Sequence, residues 1–233
     1  MGRVPHYLII GSGRMSKHFI HYLTLLSSSR NKDDLKNDFY FSTWSRSNSN
    51  NSNLNSNIAK SSHILFLISD DAIEPFIIKH KQALENKICI HFSGALYTEY
   101  AYGAHPLNTF ANSNKFYDLD TYKITPFVLD KDISFKTLFP MLPNYSFILD
   151  KTNKSQYHAL CVMANNFTMM LWDKVLKDFA TQLNIPKKHL IPILKQTFNN
   201  INALASLDNL DNKYLLTGPI IRKDLNTINK HID

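Results

Sequence analysis

Polar and reactive side chains recur at helical spacing in the second half of the sequence. Lys154, His158, Cys161 and Asn165 stand at i, i+4, i+7 and i+11, which puts them on one face of a helix. The ordinary histidine pKa of about 6.5 suits proton donation at neutral pH, so this stripe predicts a catalytic face with His158 as the proton donor. In this hypothesis Lys154 binds an anionic group and Asn165 orients the substrate. The alternative is that Lys154 is solvated and that His158 and Asn165 are hydrogen-bonded packing residues.

A second histidine, His105, is also a candidate catalytic residue. It closes an apolar run that is typical of a strand, and a proline follows it directly. Because ligands of open α/β sheets bind at the carboxyl ends of the strands, His105 is expected to face the same cleft as His158.

A glycine-rich turn lies near the start of the chain. The segment reads Gly11-Ser12-Gly13-Arg14-Met15-Ser16, between an apolar strand pattern and a helical pattern. This context is typical of a dinucleotide fingerprint, in which the turn presents main-chain amides and a helix N-terminus to the pyrophosphate. Ser16 departs from the glycine or alanine usual at the third position. The predicted cofactor ligands here are residues 11–15; the alternative is a glycine turn that binds nothing.

The residues after the second predicted strand indicate which dinucleotide is bound. An NAD enzyme places Asp or Glu there to accept hydrogen bonds from the ribose hydroxyls. This chain instead has Ser45, Arg46 and Ser47, and a guanidinium can pair with a ribose 2′-phosphate. NADP is therefore predicted in preference to NAD, with Ser45 and Arg46 as ligands.

Three further cofactor-binding residues are predicted where the third and fourth strands end. Ser69 and Asp70 follow one strand and Ser93 follows the next. Carboxyl ends of parallel strands meet at one edge of the sheet, which is where ligands bind. Helix capping is the competing interpretation of Asp70 and Asp71.

The remaining patterns predict the elements that position these residues. Strands are expected near residues 7–10, 39–44, 63–68, 87–92, 101–105, 123–129 and 145–149, and the Ser/Asn-rich segment 45–57 is expected to be a weakly ordered loop. From about residue 150 the pattern is helical, with long segments at 153–183 and 186–207 and a short one after a break at 217–219. The predicted fold is therefore α/β: an N-terminal Rossmann dinucleotide-binding domain, residues 1–150, and a C-terminal all-helical domain for substrate binding and dimerisation, residues 151–233.

Composition excludes several classes of protein. Of the 233 residues, 44% are hydrophobic and 19% charged, which is typical of a folded globular chain. No apolar run approaches the ~18 residues needed to span a membrane, no signal peptide pattern opens the chain, and the two cysteines lack metal-ligand spacing, so a cytoplasmic protein without a bound metal is expected. The net charge of +7 comes from basic residues spread along the chain without a nucleic-acid-binding motif, so no nucleic-acid partner is predicted.

Several short motifs occur in an order that resembles a known family. They are Ile9-Ile10-Gly11-Ser12-Gly13-Arg14-Met15, Ile68-Ser69-Asp70-Asp71-Ala72-Ile73, His91-Phe92-Ser93-Gly94-Ala95-Leu96, His105-Pro106-Leu107-Asn108-Thr109-Phe110, Tyr157-His158-Ala159, Asn165-Asn166 and Leu216-Thr217-Gly218-Pro219-Ile220-Ile221-Arg222-Lys223-Asp224. Together they resemble the Rossmann-like proteins that carry domain of unknown function 2520. That family is related to pyrroline-5-carboxylate reductase, ketopantoate reductase and the 6-phosphogluconate dehydrogenase superfamily.

The resemblance implies an NADP-dependent oxidoreductase of a small-molecule substrate, with a helical domain like the C-terminal domain of 6-phosphogluconate dehydrogenase. It also implies a homodimer. Members of the family continue with further helix beyond the position of Asp233, so a shortened helical domain is expected. Two other interpretations stay open: a catalytically silent dinucleotide-binding redox sensor or partner protein, and a basic nucleic-acid binder.

Overall fold

The computed structural model describes residues 4–29, 39–47, 54–111, 115–206, 218–219 and 221–230. The chain divides into two compact units, Met1–Asn166 and Phe167–Asp233. Within the described residues the first unit contains all the strands, and the second contains only helices and turns. These elements confirm the predicted α/β class with a helical C-terminal part.

The first unit contains one seven-stranded sheet. Its strands are β1 (His6–Ile10), β2 (Tyr40–Trp44), β3 (His63–Phe66), β4 (Ile88–His91), β5 (Tyr102–Pro106), β6 (Phe127–Leu129) and β7 (Ser146–Ile148). They lie in the order β2-β1-β3-β4-β5-β6-β7. The first five in this order are parallel, β6 is antiparallel to β5, and β7 is parallel to β6.

Ten helices accompany the sheet in the described residues. In the first unit they are α1 (Arg14–Ser28), α2 (Leu54–Lys60), α3 (Asp70–Lys79), α4 (Lys81–Leu84), α5 (Leu119–Ile124), α6 (Phe135–Leu138) and α7 (Lys154–Val162). In the second unit they are α8 (Thr168–Thr181), α9 (Ile191–Ala205) and α10 (Leu225–Lys230). A wider π-helical turn, Met163–Phe167, follows α7. None of these helices is long and apolar enough to cross a membrane.

Both faces of the sheet are buried, which explains why β1 is apolar at every position after His6. Tyr7 and Ile9 pack with α1 residues in one core, whereas Leu8 and Ile10 pack with α2 and α3 residues in the other. Alternate side chains of a strand point to opposite faces, so an uninterrupted apolar run is the pattern of a strand covered on both sides. Helices on both faces make this a doubly wound sheet.

The order in which strands are added to the sheet reverses at β1, since β2 and β3 lie on opposite sides of it. From β1 the chain passes through α1 to β2, and it then returns through α2 to β3 on the other side of β1. In sheets of this order, ligands bind at the carboxyl ends of the strands beside such a switch point. The glycine-rich turn follows β1 and therefore lies at this position.

Two predicted elements are wrong in part. The segment 45–57 was expected to be a loop, but α2 begins at Leu54, because Leu54 and Ile58 lie one helical turn apart and Ile58 is fully buried against the sheet; residues 48–53 lie outside the described residues. A strand was expected from residue 123, but α5 occupies Leu119–Ile124 because the Asp118 carboxylate caps it by accepting from the Thr121 amide. In the predicted break at 217–219, Thr217 lies outside the described residues.

Candidate functional site

The first turn after β1 has a backbone that favours glycine. Gly11 has φ of +133°, and a Cβ there would overlap the carbonyl oxygen of Leu67, which follows β3. The Gly11 amide donates to the carbonyl oxygen of Trp44 at the end of β2 over 2.9 Å. One glycine therefore brings the carboxyl ends of β1, β2 and β3 together.

The serine at the third fingerprint position has a structural explanation. Ser16 is fully buried, and its hydroxyl donates a 2.8 Å hydrogen bond to the carbonyl oxygen of Gly11. A buried hydroxyl without a partner would be costly, but this one is satisfied by the turn that it supports. The departure from glycine therefore stabilises the turn instead of disrupting it.

The N-terminus of α1 is open to an anion. Ser12, Gly13 and Arg14 are exposed, Met15 is half-buried, and no acidic residue stands in the first helical turn. A Cβ built on Gly13 would meet no atom within 4 Å. The predicted pyrophosphate ligands thus lie at the accessible N-terminus of α1, a helix of 15 residues. The dipole and the free amides of a helix N-terminus favour negative charge.

The predicted 2′-phosphate residues lie at the neighbouring strand end. Arg46 is exposed, and the hydroxyls of Ser45 and Ser47 are 3.2 Å apart. The bond between Gly11 and Trp44 holds this segment beside the turn after β1. The structure therefore brings Arg46 to the same edge of the sheet as Gly13.

The residues that follow β3 and β4 are hydrogen-bonded to each other. Ser93 is buried; its hydroxyl donates to the Asp70 carboxylate over 2.5 Å and accepts from the amides of Ala95 and Leu96. Ser69 is exposed and begins α3 without a side-chain cap bond. Ser93 and Asp70 thus join two loops at the carboxyl edge, and their contact with a cofactor stays a prediction.

Two histidines converge on Gly94, just beyond β4. A Cβ at Gly94 would lie 2.6 Å from His158 Nδ1 and 3.2 Å from His105 Nε2. We call His105 and His158 the histidine pair; their ring centroids are 6.2 Å apart. His105 Nδ1 forms a 2.7 Å hydrogen bond with the Tyr157 hydroxyl. The prediction that both histidines face the same region of the sheet edge agrees with this geometry.

One nitrogen of His158, Nδ1, is buried without a hydrogen-bond partner among the described residues. Buried polar atoms are nearly always paired, so an orphaned nitrogen indicates a position where a ligand atom or a water completes the bond. This nitrogen faces Gly94 and His105 at the carboxyl edge of the sheet.

His105 is held in its neutral form. Burial, together with the electrostatic effects of His158, Lys154 and His91, lowers its pKa to about 4, against a raising effect of Asp70. Burial also raises the pKa of Tyr157, with a contribution from Cys161. At neutral pH His105 and Tyr157 are therefore uncharged hydrogen-bonding groups.

The low pKa of His105 predicts an acid-sensitive stability. The unfolded chain takes up a proton near pH 6.5 and the folded chain near pH 4, so the unfolded form binds more protons between these values. The contribution of His105 to the free energy of unfolding is complete above about pH 6.5 and is lost as the pH falls towards 4. Urea unfolding from pH 7 to pH 4 should show a shallower decline for His105→Asn than for the unmodified protein; parallel curves would contradict the assignment.

A buried ion pair involves Lys154, one helical turn before His158 in α7. Lys154 is 5% exposed, and its Nζ donates to Asp130 Oδ2 over 2.8 Å. The other carboxylate oxygen accepts from the Gly103 amide over 2.7 Å, and His91 Nε2 lies 3.6 Å from Oδ2. We call Asp130, Lys154, His91 and Gly103 the Asp130 cluster. A substrate anion would have to compete with Asp130 for Lys154.

Asn165 stands apart from the rest of the predicted stripe. It lies in the π-helical turn, half-buried, and its amide donates to the Asn166 side chain over 2.9 Å. The wider turn rotates Asn165 about the helix axis from the phase assumed for a regular α-helix. No described contact joins it to the histidine pair.

Sequence reasoning missed Asp130, Tyr157 and Gly94. Asp130 follows the apolar residues of β6 directly, and a carboxylate at such a position was a signal. Tyr157 and Gly94 are adjacent to predicted site residues, but their roles depend on contacts across the fold. Among the described residues, no group of three or more His, Cys, Asp or Glu side chains is arranged to hold a metal ion.

Solved structures share this fold. The chain is similar to a Bacteroides fragilis protein assigned as an NADP oxidoreductase, at 17% identity and a TM-score of 0.62, over 98% of this chain and 90% of that one. It is also similar to pyrroline carboxylate reductase of Plasmodium falciparum, solved with NADP bound, at 11% identity and a TM-score of 0.63, over 97% of this chain and 90% of that one. For 1-pyrroline-5-carboxylate reductase of Streptococcus pyogenes the identity is 12% and the TM-score 0.61, over 97% of this chain and 90% of that one. The class is therefore a Rossmann-type fold followed by a helical domain.

The family resemblance is confirmed for the C-terminal part of the chain. Residues 132–233 match the family model described as a domain of unknown function (DUF2520). This segment includes α7 with Lys154 and His158. No curated protein matches the chain.

Proposed function

We propose that this protein is an NADP-dependent oxidoreductase that transfers a hydride to or from a small carbonyl or imine substrate. The observation that carries the proposal is the shared edge: the open turn after β1 and the histidine pair both lie at the carboxyl ends of parallel strands. An exposed helix N-terminus suits a pyrophosphate, and an enclosed imidazole nitrogen suits a reacting heteroatom. A Bacteroides fragilis protein with this fold is described as an NADP oxidoreductase, and the Plasmodium falciparum reductase was solved with NADP bound, which supports the same class.

The cofactor ligands follow from the turn. Gly11, Ser12, Gly13, Arg14 and Met15 would receive the pyrophosphate at α1. Ser45 and Arg46 would receive the ribose 2′-phosphate, while Ser69, Asp70 and Ser93 line the edge towards the histidine pair. The absence of a carboxylate among residues 44–47 favours NADP over NAD, since a carboxylate there would repel the phosphate.

His158 has the role of proton donor in this proposal. NADPH, when bound, supplies a hydride to the carbon of the carbonyl or imine. His158 donates a proton to the oxygen or nitrogen of that group, so the reduced product is neutral at that atom. Neutral His105, oriented by Tyr157, positions the heteroatom, and Asn165 and Lys154 are the further candidates for contact with the substrate.

A binding titration followed by an activity screen tests the proposal. NADPH and NADH are titrated by fluorescence, and NADPH oxidation is then measured with a panel of small keto acids and cyclic imines. The proposal expects NADPH binding and turnover of at least one substrate. Failure to bind either dinucleotide would refute it.

Replacing Arg46 by aspartate is expected to reverse the choice of cofactor. The Kd for NADPH should rise by roughly 10- to 100-fold, equivalent to about 1.5–3 kcal/mol for a lost charge-assisted hydrogen bond. The Kd for NADH should change by no more than about threefold, because NADH has no 2′-phosphate. Equal effects on both dinucleotides would contradict the assignment, and Lys177→Asp, an exposed charge change elsewhere, serves as the control.

A catalytically silent dinucleotide-binding sensor is the second candidate. It is favoured by the ion pair of Lys154, which occupies the lysine that the catalytic hypothesis assigns to the substrate. Binding of NADPH without turnover across the panel, unchanged in His158→Ala, would select this alternative.

We further propose that residues 1–150 form the cofactor domain and residues 151–233 a helical domain that pairs with a second copy of the chain in the cytoplasm. The support is the apolar surface of the second unit, where Leu190 is the one buried hydrophobic residue among those described. Met169, Met170, Leu171 and Ile193 are each more than 60% exposed. Apolar surface of this extent typically marks an interface.

Sedimentation analysis is expected to give the mass of a dimer. A Met170→Lys/Leu171→Lys variant places two charges in the apolar surface and should shift the equilibrium to the monomer by at least tenfold in Kd. A monomer mass for the unmodified protein at micromolar concentration would contradict the proposal.

A further inference from the structure

Asp130 links three elements beneath the histidine pair. It follows β6, and its carboxylate contacts the Gly103 amide in β5, His91 at the end of β4 and Lys154 at the start of α7. The Ser93 amide donates to His91 Nδ1 over 3.3 Å, so the proton of His91 is on Nε2, which faces Asp130. Lys154 and the Gly103 amide donate to the carboxylate, whereas His91 Nε2 faces it at 3.6 Å without forming a hydrogen bond.

The close approach of Asp130 to β5 depends on a glycine. A Cβ at Gly103 would overlap the Asp130 carboxylate, just as a Cβ at Gly94 would press against His158. Two glycines thus leave room for two groups of side chains, which follow each other along α7. Gly103 makes room for Asp130 beside Lys154, in the first turn of α7, and Gly94 makes room for His158, in the next turn.

The spacing along α7 matches the spacing along β5. Lys154 and His158 are four residues apart in α7, about 6 Å along the helix axis at a rise of about 1.5 Å per residue. Gly103 and His105 are two strand residues apart, about 6.6 Å. Because the Lys154–Asp130 contact fixes the first turn of α7 at the level of Gly103, the next turn brings His158 to the level of His105.

Burying the charges of the Asp130 cluster costs free energy, because these groups lose their contact with water. Burial alone would raise the pKa of Asp130, yet the nearby His91, the hydrogen-bonded Lys154 ammonium and the amide of Gly103 lower it to about 2. Buried ion pairs often stabilise a fold no better than apolar side chains of similar volume. An ion pair does, however, fix the separation and direction of its two groups, which an apolar contact does not.

We propose that Asp130 and Lys154 are positioning residues that fix the register of α7 against β5, so that His158 Nδ1 faces Gly94 and His105. The proposal rests on the proposed function, since it assigns the pair an effect on the reaction through His158. In this proposal neither residue contacts the reacting atoms: Lys154, which the proposed function keeps as a candidate for substrate contact, is instead held by Asp130 and acts through the position of α7.

The test is a double variant, Asp130→Asn/Lys154→Met, which removes both charges while keeping similar volumes. The single variants Asp130→Asn and Lys154→Met each leave one buried group unpaired and are expected to destabilise the fold. The double variant should regain most of that stability. Its kcat should nevertheless fall about 10- to 100-fold, as for a small misplacement of a catalytic group, while the Kd for NADPH changes less than twofold.

Imidazole NMR separates this proposal from the proposed function. Nitrogen-15 signals of His158 and His105, assigned with His158→Ala and His105→Asn, should shift in the double variant whether or not a substrate is known. The matched control is the exposed pair Lys174–Asp178, 2.6 Å apart; Lys174→Met/Asp178→Asn should leave kcat and both signals unchanged. Unchanged kcat and unchanged His158 signals in a folded double variant would overturn the proposal. Shifted signals in a protein that lacks turnover would refute the oxidoreductase and leave the positioning intact.

Discussion

Replacing His158 by alanine is expected to lower kcat by about 10²- to 10⁴-fold while the Kd for NADPH stays within twofold. The Nδ1 atom of His158 is the one enclosed imidazole nitrogen of the histidine pair without a hydrogen-bond partner among the described residues, so the variant removes the proposed proton donor and breaks no described hydrogen bond of that atom. The proposed dinucleotide ligands follow β1, β2, β3 and β4, and none of them is replaced. Steady-state turnover and a fluorescence titration measure the two quantities.

A second variant tests the same nitrogen without removing it. In Gly94→Ala the new methyl group would lie 2.6 Å from Nδ1, so His158 must move, and kcat should fall by at least tenfold although the imidazole is present. The exposed His189, in the second unit, provides the control, since His189→Ala should change neither quantity. Full activity in His158→Ala would exclude His158 as the proton donor.

Replacing Gly11 by alanine is expected to cost about 3 kcal/mol or more of the free energy of unfolding. The residue has φ of +133°, where a side chain is strained by on the order of 1–3 kcal/mol, and its Cβ would overlap the Leu67 carbonyl group. Backbone atoms of a buried sheet cannot yield as a flexible side chain does, which adds a similar amount. Urea unfolding measures the loss.

Gly13→Ala is the matched control for this prediction. Its Cβ would meet no atom within 4 Å, and Gly13, which directly precedes α1, has φ of −71°, so stability should change by less than about 0.5 kcal/mol. The Kd for NADPH should nevertheless rise at least tenfold, because the methyl group lies where the pyrophosphate approaches the backbone. Equal destabilisation by the two variants would contradict the strain assigned to a side chain at position 11. An unchanged Kd for NADPH in Gly13→Ala would contradict the binding of the pyrophosphate at this turn.

Much of the fold could be predicted from local patterns. The apolar run of β1 and the helical spacing of α1 each depend on residues close together in sequence, and both faces of the sheet demand apolar side chains. The short helices α2 and α5 could not be predicted in the same way. Ile58 is apolar because it packs on a distant strand, and α5 begins where Asp118 caps it.

The candidate site was predictable only as a set of residue types. Lys154 and His158 share a helical face, and this much follows from spacing. The partner of Lys154, however, is Asp130, 24 positions away in sequence, and the low pKa of His105 arises from burial that no local pattern reveals. Spacing on one element places side chains together, but packing decides whether a lysine is available to a ligand or held by a carboxylate.

The hydroxyl of Ser16 has a consequence for how such turns are recognised in other sequences. A search pattern that demands glycine or alanine at the third position would discard this chain, although its hydroxyl bonds back to the first glycine over 2.8 Å. In this chain a small side chain whose hydroxyl reaches the Gly11 carbonyl oxygen fills the third position, so a pattern that admits serine there would keep it. Genomes scanned with the wider pattern should yield dinucleotide-binding chains that the narrower one rejects.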